Sequence, residues 1–249
     1  MIEAINVSKS FNNHEVLKNI SVKFEKGKTN LIIGQSGSGK TVLMKCLVGL
    51  FPIDKGSINF DGRSFSDISY EEKKKIRQEI GMLFQGGALF DSMNVEENVV
   101  FPLSMFTEMS NNEKIERANF CLKRVNLENV NKLFPSELSG GMKKRVAIAR
   151  AISANPKYLF CDEPNSGLDP ATSIVIDNLI SEITQEYQIT TVINTHDMNS
   201  VIEIGDKIAF IYKGNLWWEG DKNSILNTDN IEINDFVYAT ELTRRLKGK

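Results

Sequence analysis

The chain is poor in cysteine, with three in 249 residues. Their number is odd and no two have a Cys-x-x-Cys spacing, which argues against a disulfide framework and against a zinc site. Such sparse cysteine usage also suits a reducing compartment. Cys46, Cys121 and Cys161 are therefore predicted to be small core or helix residues.

An excess of charge and long apolar runs are also missing. The 30 Lys and Arg residues nearly balance the 32 Asp and Glu residues, so the chain has no global positive field for nucleic acid or anionic lipid. The longest apolar runs, such as LIIG and IAFIY, are far shorter than the roughly 18 residues that span a bilayer. The N-terminus, MIEAINVSKSF, lacks the segments of a signal peptide. These absences predict a cytoplasmic chain without a nucleic-acid partner.

What the sequence does contain is an alternation of strand and helix patterns. The apolar run KYLFCDEP precedes a helical pattern from Asp169 to about Tyr187, and the strand run ITTVIN follows it. Strand, helix and strand in this order predict a parallel α/β sheet. Two further strand runs, KIAFIYK and NLWWEG, are joined through Gly214.

Strand patterns stop between about 94 and 154. Helical segments there begin with capping-box spacings, Asn94 with Glu97 and Ser110 with Glu113. This block is predicted to be a helical subdomain inserted into the core. Residues 1–238 are assigned to one domain and residues 239–249 to a C-terminal tail.

The segment GQSGSGKT matches the G-x-x-x-x-G-K-[ST] pattern and lies between a strand run and a helical run. Its glycines let successive N–H groups face a polyphosphate, Lys40 reaches the β and γ phosphates, and Thr41 ligates Mg²⁺. The sequence therefore predicts a nucleotide site with magnesium. Its residues are Gly34, Gln35, Ser36, Gly37, Ser38, Gly39, Lys40 and Thr41.

Two acids follow the run YLFC, at the predicted carboxyl end of a central strand. Asp162 is predicted to support Mg²⁺, usually through water, and Glu163 to be the general base for the attacking water. Such a pair alone is more often a solvated strand end, but the phosphate loop favours the functional role. His196 follows a strand where it could hydrogen-bond a γ-phosphate, whereas His14 is interpreted as a structural residue.

The segment LSGGMKKR lies near the end of the helical block, and here the chain resembles the ATP-binding cassette (ABC) ATPases. Four further motifs match in order. Gln85 fits the Q-loop of the family, SGLD its D-loop, His196 its switch histidine and Phe11 its adenine-stacking aromatic residue.

The resemblance implies a RecA-like P-loop NTPase fold. It consists of a parallel core sheet, an N-terminal antiparallel β subdomain and an inserted α-helical signature subdomain. ATP and Mg²⁺ are the implied ligands, with Lys40, Glu163 and His196 as catalytic residues. Gln85 is expected to join Thr41 and Asp162 at the metal.

The signature segment implies a second copy of the chain. Ser139, Gly140 and Gly141 begin a helix whose free N–H groups form another anion site. In the family the nucleotide lies between the phosphate loop of one subunit and the signature of the other, where Asp169 also contributes. Met142 replaces the usual Gln, so the capping box cannot close, although Ser139 can still cap. Lys143 and Lys144 are interpreted as solvated charges.

The apolar segment FQGGALFDSMNVEENVVFPL is interpreted as the docking surface for a permease, from Gln85 to Leu103. In transporters of this family a short permease helix enters the groove beside the Q-loop. Leu89 and Phe90 are the favoured anchors, and the alternative is that they fill the core. The residues predicted to be core are Val95, Val99 and Phe101.

The segments GALFDSMNVEENVVFPL, LSGGM, DEPNSGLDP and INTHDM further resemble the ATPases of Mla-type lipid transporters. That branch implies phospholipid transport for outer-membrane asymmetry, with a permease, a lipid-binding MCE-domain protein and a small regulatory subunit. The chain would then be peripheral on the cytoplasmic face of the inner membrane. The alternative is the ATPase of an importer for a small polar solute such as an amino acid.

Overall fold

The structure, a computed structural model, describes residues 1–66 and 68–238. The predicted tail, 239–249, lies outside the described residues. The strands are Ile2–Phe11 (β1), His14–Phe24 (β2), Thr29–Ile33 (β3), Lys55–Phe60 (β4), Arg63–Ser64 (β5), Ile80–Leu83 (β6), Tyr158–Asp162 (β7), Thr190–Asn194 (β8), Lys207–Tyr212 (β9) and Asn215–Gly220 (β10). The α-helices are Lys40–Leu47 (α1), Tyr70–Gln78 (α2), Val95–Phe106 (α3), Asn111–Arg124 (α4), Gly140–Ile152 (α5), Pro170–Glu186 (α6), Met198–Ile204 (α7) and Ile231–Val237 (α8). Short 3₁₀ helices are Pro135–Glu137 and Ile225–Asn227.

The larger sheet has the order β10-β9-β3-β8-β7-β6, and every pair in it is parallel except β10 with β9. Each residue of β3, β7 and β8 is buried, as expected for strands covered on both faces. The predicted parallel α/β sheet is confirmed. Because β8 lies between β3 and β7, the carboxyl ends of these three strands meet at one edge of the sheet.

A second, four-stranded sheet has the order β2-β1-β4-β5 and is antiparallel throughout. Its inward-facing residues, such as Ile2, Phe24 and Phe60, share one core cluster with Leu43 and Leu47 of α1. This sheet is the N-terminal antiparallel β subdomain that the family resemblance implies.

The three helices α3, α4 and α5 lie between β6 and β7 in the chain, where the sequence predicts a helical insertion. Both predicted capping boxes are present: Asn94 Oδ1 accepts from Glu97 N at 2.9 Å, and Ser110 N donates to Glu113 Oε2 at 2.7 Å. Buried residues of all three helices pack into one core cluster with the larger sheet. The exact limits of the insertion, 94–154, stay a prediction.

The three cysteines are buried free thiols, as predicted. Burial raises the pKa of Cys46 and of Cys121 to about 11, so both thiols stay protonated near neutral pH. In residues 1–66 and 68–238, no helix combines the length and the apolar character that a bilayer span requires.

Candidate nucleotide-binding site

The phosphate loop is fixed by close backbone packing where β3 leads into α1. Gly34 and Gly39 adopt φ values of 146° and 111°, which favour glycine. A Cβ on Gly34 would overlap the Ile211 carbonyl oxygen, and a Cβ on Gly39 would lie 2.9 Å from Leu17 Cδ2. The loop therefore fits between β2 and β9 only with glycine at these two positions.

Lys40, the first residue of α1, is 7% exposed. Its Nζ donates to Gly34 O at 2.7 Å and to Gln35 O at 3.1 Å. Burial lowers the pKa of Lys40, while the nearby carboxylates of Glu163 and Asp162 oppose the shift. Since an ammonium group has three donors, one remains for an anion in the loop.

The oxygen atoms suited to a metal lie beside this loop. Asn194 Nδ2 donates to Thr41 Oγ1 at 3.0 Å and to Asp162 Oδ1 at 2.6 Å. Hydroxyl and carboxylate oxygens are the ligands that Mg²⁺ prefers, so the donor set fits this ion. Sequence reasoning missed Asn194; the available signal was its position at the end of the strand run ITTVIN.

Glu163 and His196 form a pair at the same edge. Glu163 has a φ of 48°, a left-handed conformation that is uncommon for residues other than glycine. Its N–H donates to Asn194 O at 2.9 Å, and its Oε1 lies 2.8 Å from His196 Nδ1. These contacts hold the carboxylate of Glu163 at the carboxyl end of β7.

A cleft of about 1310 Å³ joins these groups. The predicted site residues that line it are Gly34, Gln35, Ser36, Gly37, Gly39, Lys40, Thr41, Gln85, Glu163 and His196. Three residues of α8, Asp235, Phe236 and Val237, also line the cleft, as do Val16 and Asn165. The sequence did not indicate that the last described helix would reach this site.

Two predicted residues, Ser38 and Asp162, are buried beside the lining of the cleft. Ser38 Oγ has no hydrogen-bond partner among the described residues. A buried hydroxyl is normally paired, so Ser38 Oγ is available to form a hydrogen bond with a polar ligand in the loop.

The remaining predicted site residues lie outside the lining: Phe11, Ser139, Gly140, Gly141 and Asp169. Phe11 packs edge-on against Phe51, with ring centroids 5.3 Å apart. Asp169 Oδ1 accepts from Thr172 N at 3.0 Å and so caps α6. Ser139 Oγ accepts from Met142 N at 3.2 Å and caps α5 without a reciprocal bond, as Met142 predicts. Nucleotide roles for these five residues stay predictions.

The interpretation of Lys144 as a solvated charge is wrong. Lys144 is 4% exposed, and its Nζ lies 3.4 Å from Glu163 O. It shares one helix face with the buried residues Ala147, Ile148 and Ala151, because positions three and four apart coincide on a helix. Burial lowers the pKa of Lys144. The signature helix therefore extends a cation toward the backbone of Glu163.

A known protein family matches the part of the chain that contains the phosphate loop, Asp162 and Glu163. The ABC transporter family model matches residues 17–166. The chain belongs to the ABC transporter family.

This ABC chain is 44% identical over 213 residues to a methionine import ATP-binding protein MetN of Clostridium tetani, covering 85% of this chain and 66% of that protein. It is 35% identical over 236 residues to a probable ribonucleotide transport ATP-binding protein, mkl, of Mycobacterium leprae, covering 95% and 68% respectively. The ABC chain thus spans about two thirds of the length of both relatives.

Solved structures give the same family. A dimeric, post-hydrolysis ATP-binding cassette, MJ0796 with ADP and Pi, superposes with a TM-score of 0.81 and 33% identity, covering 89% of this ABC chain and 99% of that chain. The cassette cbiO1 of Clostridium perfringens superposes with a TM-score of 0.85 and 27% identity, covering 99% and 98%. The ABC resemblance and the fold class predicted from the sequence are confirmed.

Proposed function

We propose that this chain is the ATP-hydrolysing subunit of an ABC transporter and works with a membrane permease on another chain. The observation that carries the proposal is the meeting of three strand ends at one cleft. The phosphate loop follows β3, Asp162 is the last residue of β7 and Glu163 follows it, and His196 follows β8. The likeness to ATP-binding proteins of transporters supports the same function.

In this proposal Lys40 and the N–H groups of the loop bind the β and γ phosphates of ATP. Thr41, Asp162 and Gln85 would hold Mg²⁺ through oxygen atoms, and the first two are already joined by Asn194. The ion, when bound, supplies positive charge against the charge that develops on the phosphate oxygens.

The proposed general base is Glu163. Its carboxylate takes a proton from the attacking water, and His196 restricts its orientation through the 2.8 Å contact at Nδ1. The His196 side chain is exposed in the cleft, so its other ring nitrogen is free to approach the γ-phosphate. The test is Mg²⁺-dependent ATP hydrolysis by the purified chain, which Lys40→Ala should abolish.

The active form in this proposal is a homodimer. The lining of the cleft in one copy does not include Ser139, Gly140 or Gly141. The helix N-terminus that they form can bind an anion, but a nucleotide in the cleft of the same copy would not contact it. A second copy would bring this N-terminus, and its Asp169, to the phosphate side. The cassette MJ0796, with 33% identity, is dimeric in two solved structures.

The proposed permease surface is the apolar segment that begins at Gln85. Phe90 is 40% exposed and packs against the half-buried Phe101, with centroids 4.8 Å apart. Leu89 is partly buried against the core cluster, so Phe90 is the better anchor of the two. Exposed Met105 and Phe106 extend the surface beyond Leu103. A chain docked in this way would be peripheral on the cytoplasmic face of the inner membrane.

For the transported substrate, the similar proteins favour the importer alternative. Several of them are methionine import proteins, which supports a small polar solute such as an amino acid. The amino-acid sequence of residues 84–103 favours a phospholipid instead, because it resembles the ATPases of Mla-type lipid transporters. The partners would then be an MCE-domain protein and a small regulatory subunit. Copurification with the permease, followed by tests of ATPase stimulation with methionine and with phospholipid vesicles, decides between these substrates.

A further inference from the structure

Asn194 is the last residue of β8 and is 0% exposed. Its neighbour in the register is Asp162 on one side and Ile32, two residues before the phosphate loop, on the other. It therefore lies between β7, which ends at the proposed metal ligand Asp162, and β3, which leads through the phosphate loop to the proposed ligand Thr41.

The orientation of the Asn194 amide follows from its partners. Nδ2 is 2.6 Å from Asp162 Oδ1 and 3.0 Å from Thr41 Oγ1. Because a carboxylate oxygen only accepts, the nitrogen and not the oxygen of the amide must face Asp162. Both protons of Nδ2 are then used, one on each proposed metal ligand.

The other end of the amide is unpaired. Asn194 Oδ1 is buried and has no hydrogen-bond partner among the described residues. A buried acceptor without a donor costs stability, and native proteins rarely keep one without a reason. The unpaired oxygen of Asn194 therefore lowers the stability of the fold.

A second buried asparagine shows what a structural role looks like. Asn30, on the adjacent strand β3, donates its Nδ2 to the carbonyl oxygens of Glu25, Lys28 and Thr191, and its Oδ1 accepts from Glu25 N. Every polar atom of that side chain is paired with backbone. Asn194, in contrast, donates only to side chains at the proposed metal site.

We propose that Asn194 is a positioning residue for Mg²⁺. Its amide nitrogen holds the Thr41 hydroxyl and the Asp162 carboxylate together before the ion binds, and its buried oxygen keeps the capacity to accept a hydrogen bond. The inference rests on the proposed function, which assigns the metal to Thr41 and Asp162. Loss of a partner that orients metal ligands lowers metal affinity by about 10- to 100-fold.

The test compares the affinity for ATP in EDTA with the affinity in saturating Mg²⁺, since the ratio of the two reports the coupling to the metal. Asn194→Leu keeps the volume of the side chain and removes both hydrogen bonds. In Asn194→Ser the side chain is smaller and cannot reach both Thr41 and Asp162. This variant tests the inference if the leucine variant does not fold. We expect both to lower the Mg²⁺ ratio about tenfold or more, with unchanged affinity in EDTA.

Two controls separate the possible failures. Asn30→Leu removes a structural asparagine, so we expect a lower Tm and an unchanged Mg²⁺ ratio; an equal fall in its ratio would overturn the inference. Thr41→Val removes a proposed ligand and should lower the ratio. If Thr41→Val lowers it and both Asn194 variants keep the wild-type ratio, Asn194 has no role at the metal although the metal site stands. If none of these variants lowers it, the metal site itself is assigned wrongly.

Discussion

Replacing Glu163 with Gln tests the proposed general base most directly. The amide has the size of the carboxylate and keeps an oxygen that can accept from His196 Nδ1, now 2.8 Å from Glu163 Oε1. The left-handed backbone at this position is equally available to both residues. The substitution therefore removes proton acceptance and little else.

The size of the effect follows from the role. A positioned general base contributes about 10² to 10⁴-fold to a rate, so Glu163→Gln should lower ATP hydrolysis by about 10²-fold or more. A hundredfold loss is about 2.7 kcal/mol of the barrier. ATP binding should persist, because Lys40 and the loop are untouched, and the nucleotide-bound dimer should accumulate.

The assay is steady-state phosphate release, with sedimentation in ATP to detect the dimer. Glu182→Gln is a matched control, since Glu182 is mostly exposed and its Oε2 lies 3.4 Å from Arg124 at the surface. That control should turn over ATP as the wild type does, because exposed pairs contribute little. Turnover of Glu163→Gln near the wild-type rate would remove Glu163 from the role of base.

Three further predictions concern the dimer, the permease and pH. Mixing Ser139→Arg chains with Lys40→Ala chains should restore ATP hydrolysis that neither variant has alone, because a mixed dimer keeps one intact composite site. Phe90→Asp should stay folded, with a Tm lowered only by the loss of the ring contact with Phe101, but should lose copurification with the permease. Apolar interface anchors contribute about 2 kcal/mol each, and a buried unpaired carboxylate costs several more. Phe120→Asp, at an exposed residue of α4, should still copurify. Burial raises the pKa of Asp177 from 3.8 to about 6, so its ionisation destabilises the fold as pH rises through that range, and the Tm gain of Asp177→Asn should be larger at high pH than at low pH.

Each of these has a contrary outcome. An inactive mixture, with both variants folded and able to exchange subunits, would contradict the composite site. An unfolded Phe90→Asp chain would make Phe90 a core residue, and a folded one that still binds the permease would move the docking surface elsewhere. A Tm difference for Asp177→Asn that does not vary with pH would show that the carboxyl keeps an ordinary pKa in the fold.

Local features of this protein could be predicted from the sequence. The capping boxes at Asn94 and Ser110 depend on contacts three residues apart, and the structure has both. The loop from Gly34 to Thr41 could also be predicted, because its glycines and the following helix form a pattern within eight residues, although β2 and β9 pack against it. The parallel sheet was predicted from the order of strand and helix runs along the chain.

Some environments differ from what the sequence suggested. Lys144 is hydrophilic and close to a helix start, which predicts exposure, yet the packing of α5 buries it. The apolar residues Leu89 and Phe90 are adjacent, but one is partly buried against the core and the other is exposed. A sequence pattern gives the face of a helix only relative to its own axis, and the neighbouring elements decide which face is covered.

By itself, then, the sequence determined the motifs and the elements that carry them: the phosphate loop, the two acids at the carboxyl end of β7, His196 and the signature helix. Only the tertiary structure decided that Asn194 joins Thr41 to Asp162 and that α8 reaches the cleft. The physical reason is the strand order. Inserting β8 between β3 and β7 brings together side chains that are far apart in the chain, and that order depends on the packing of the whole sheet.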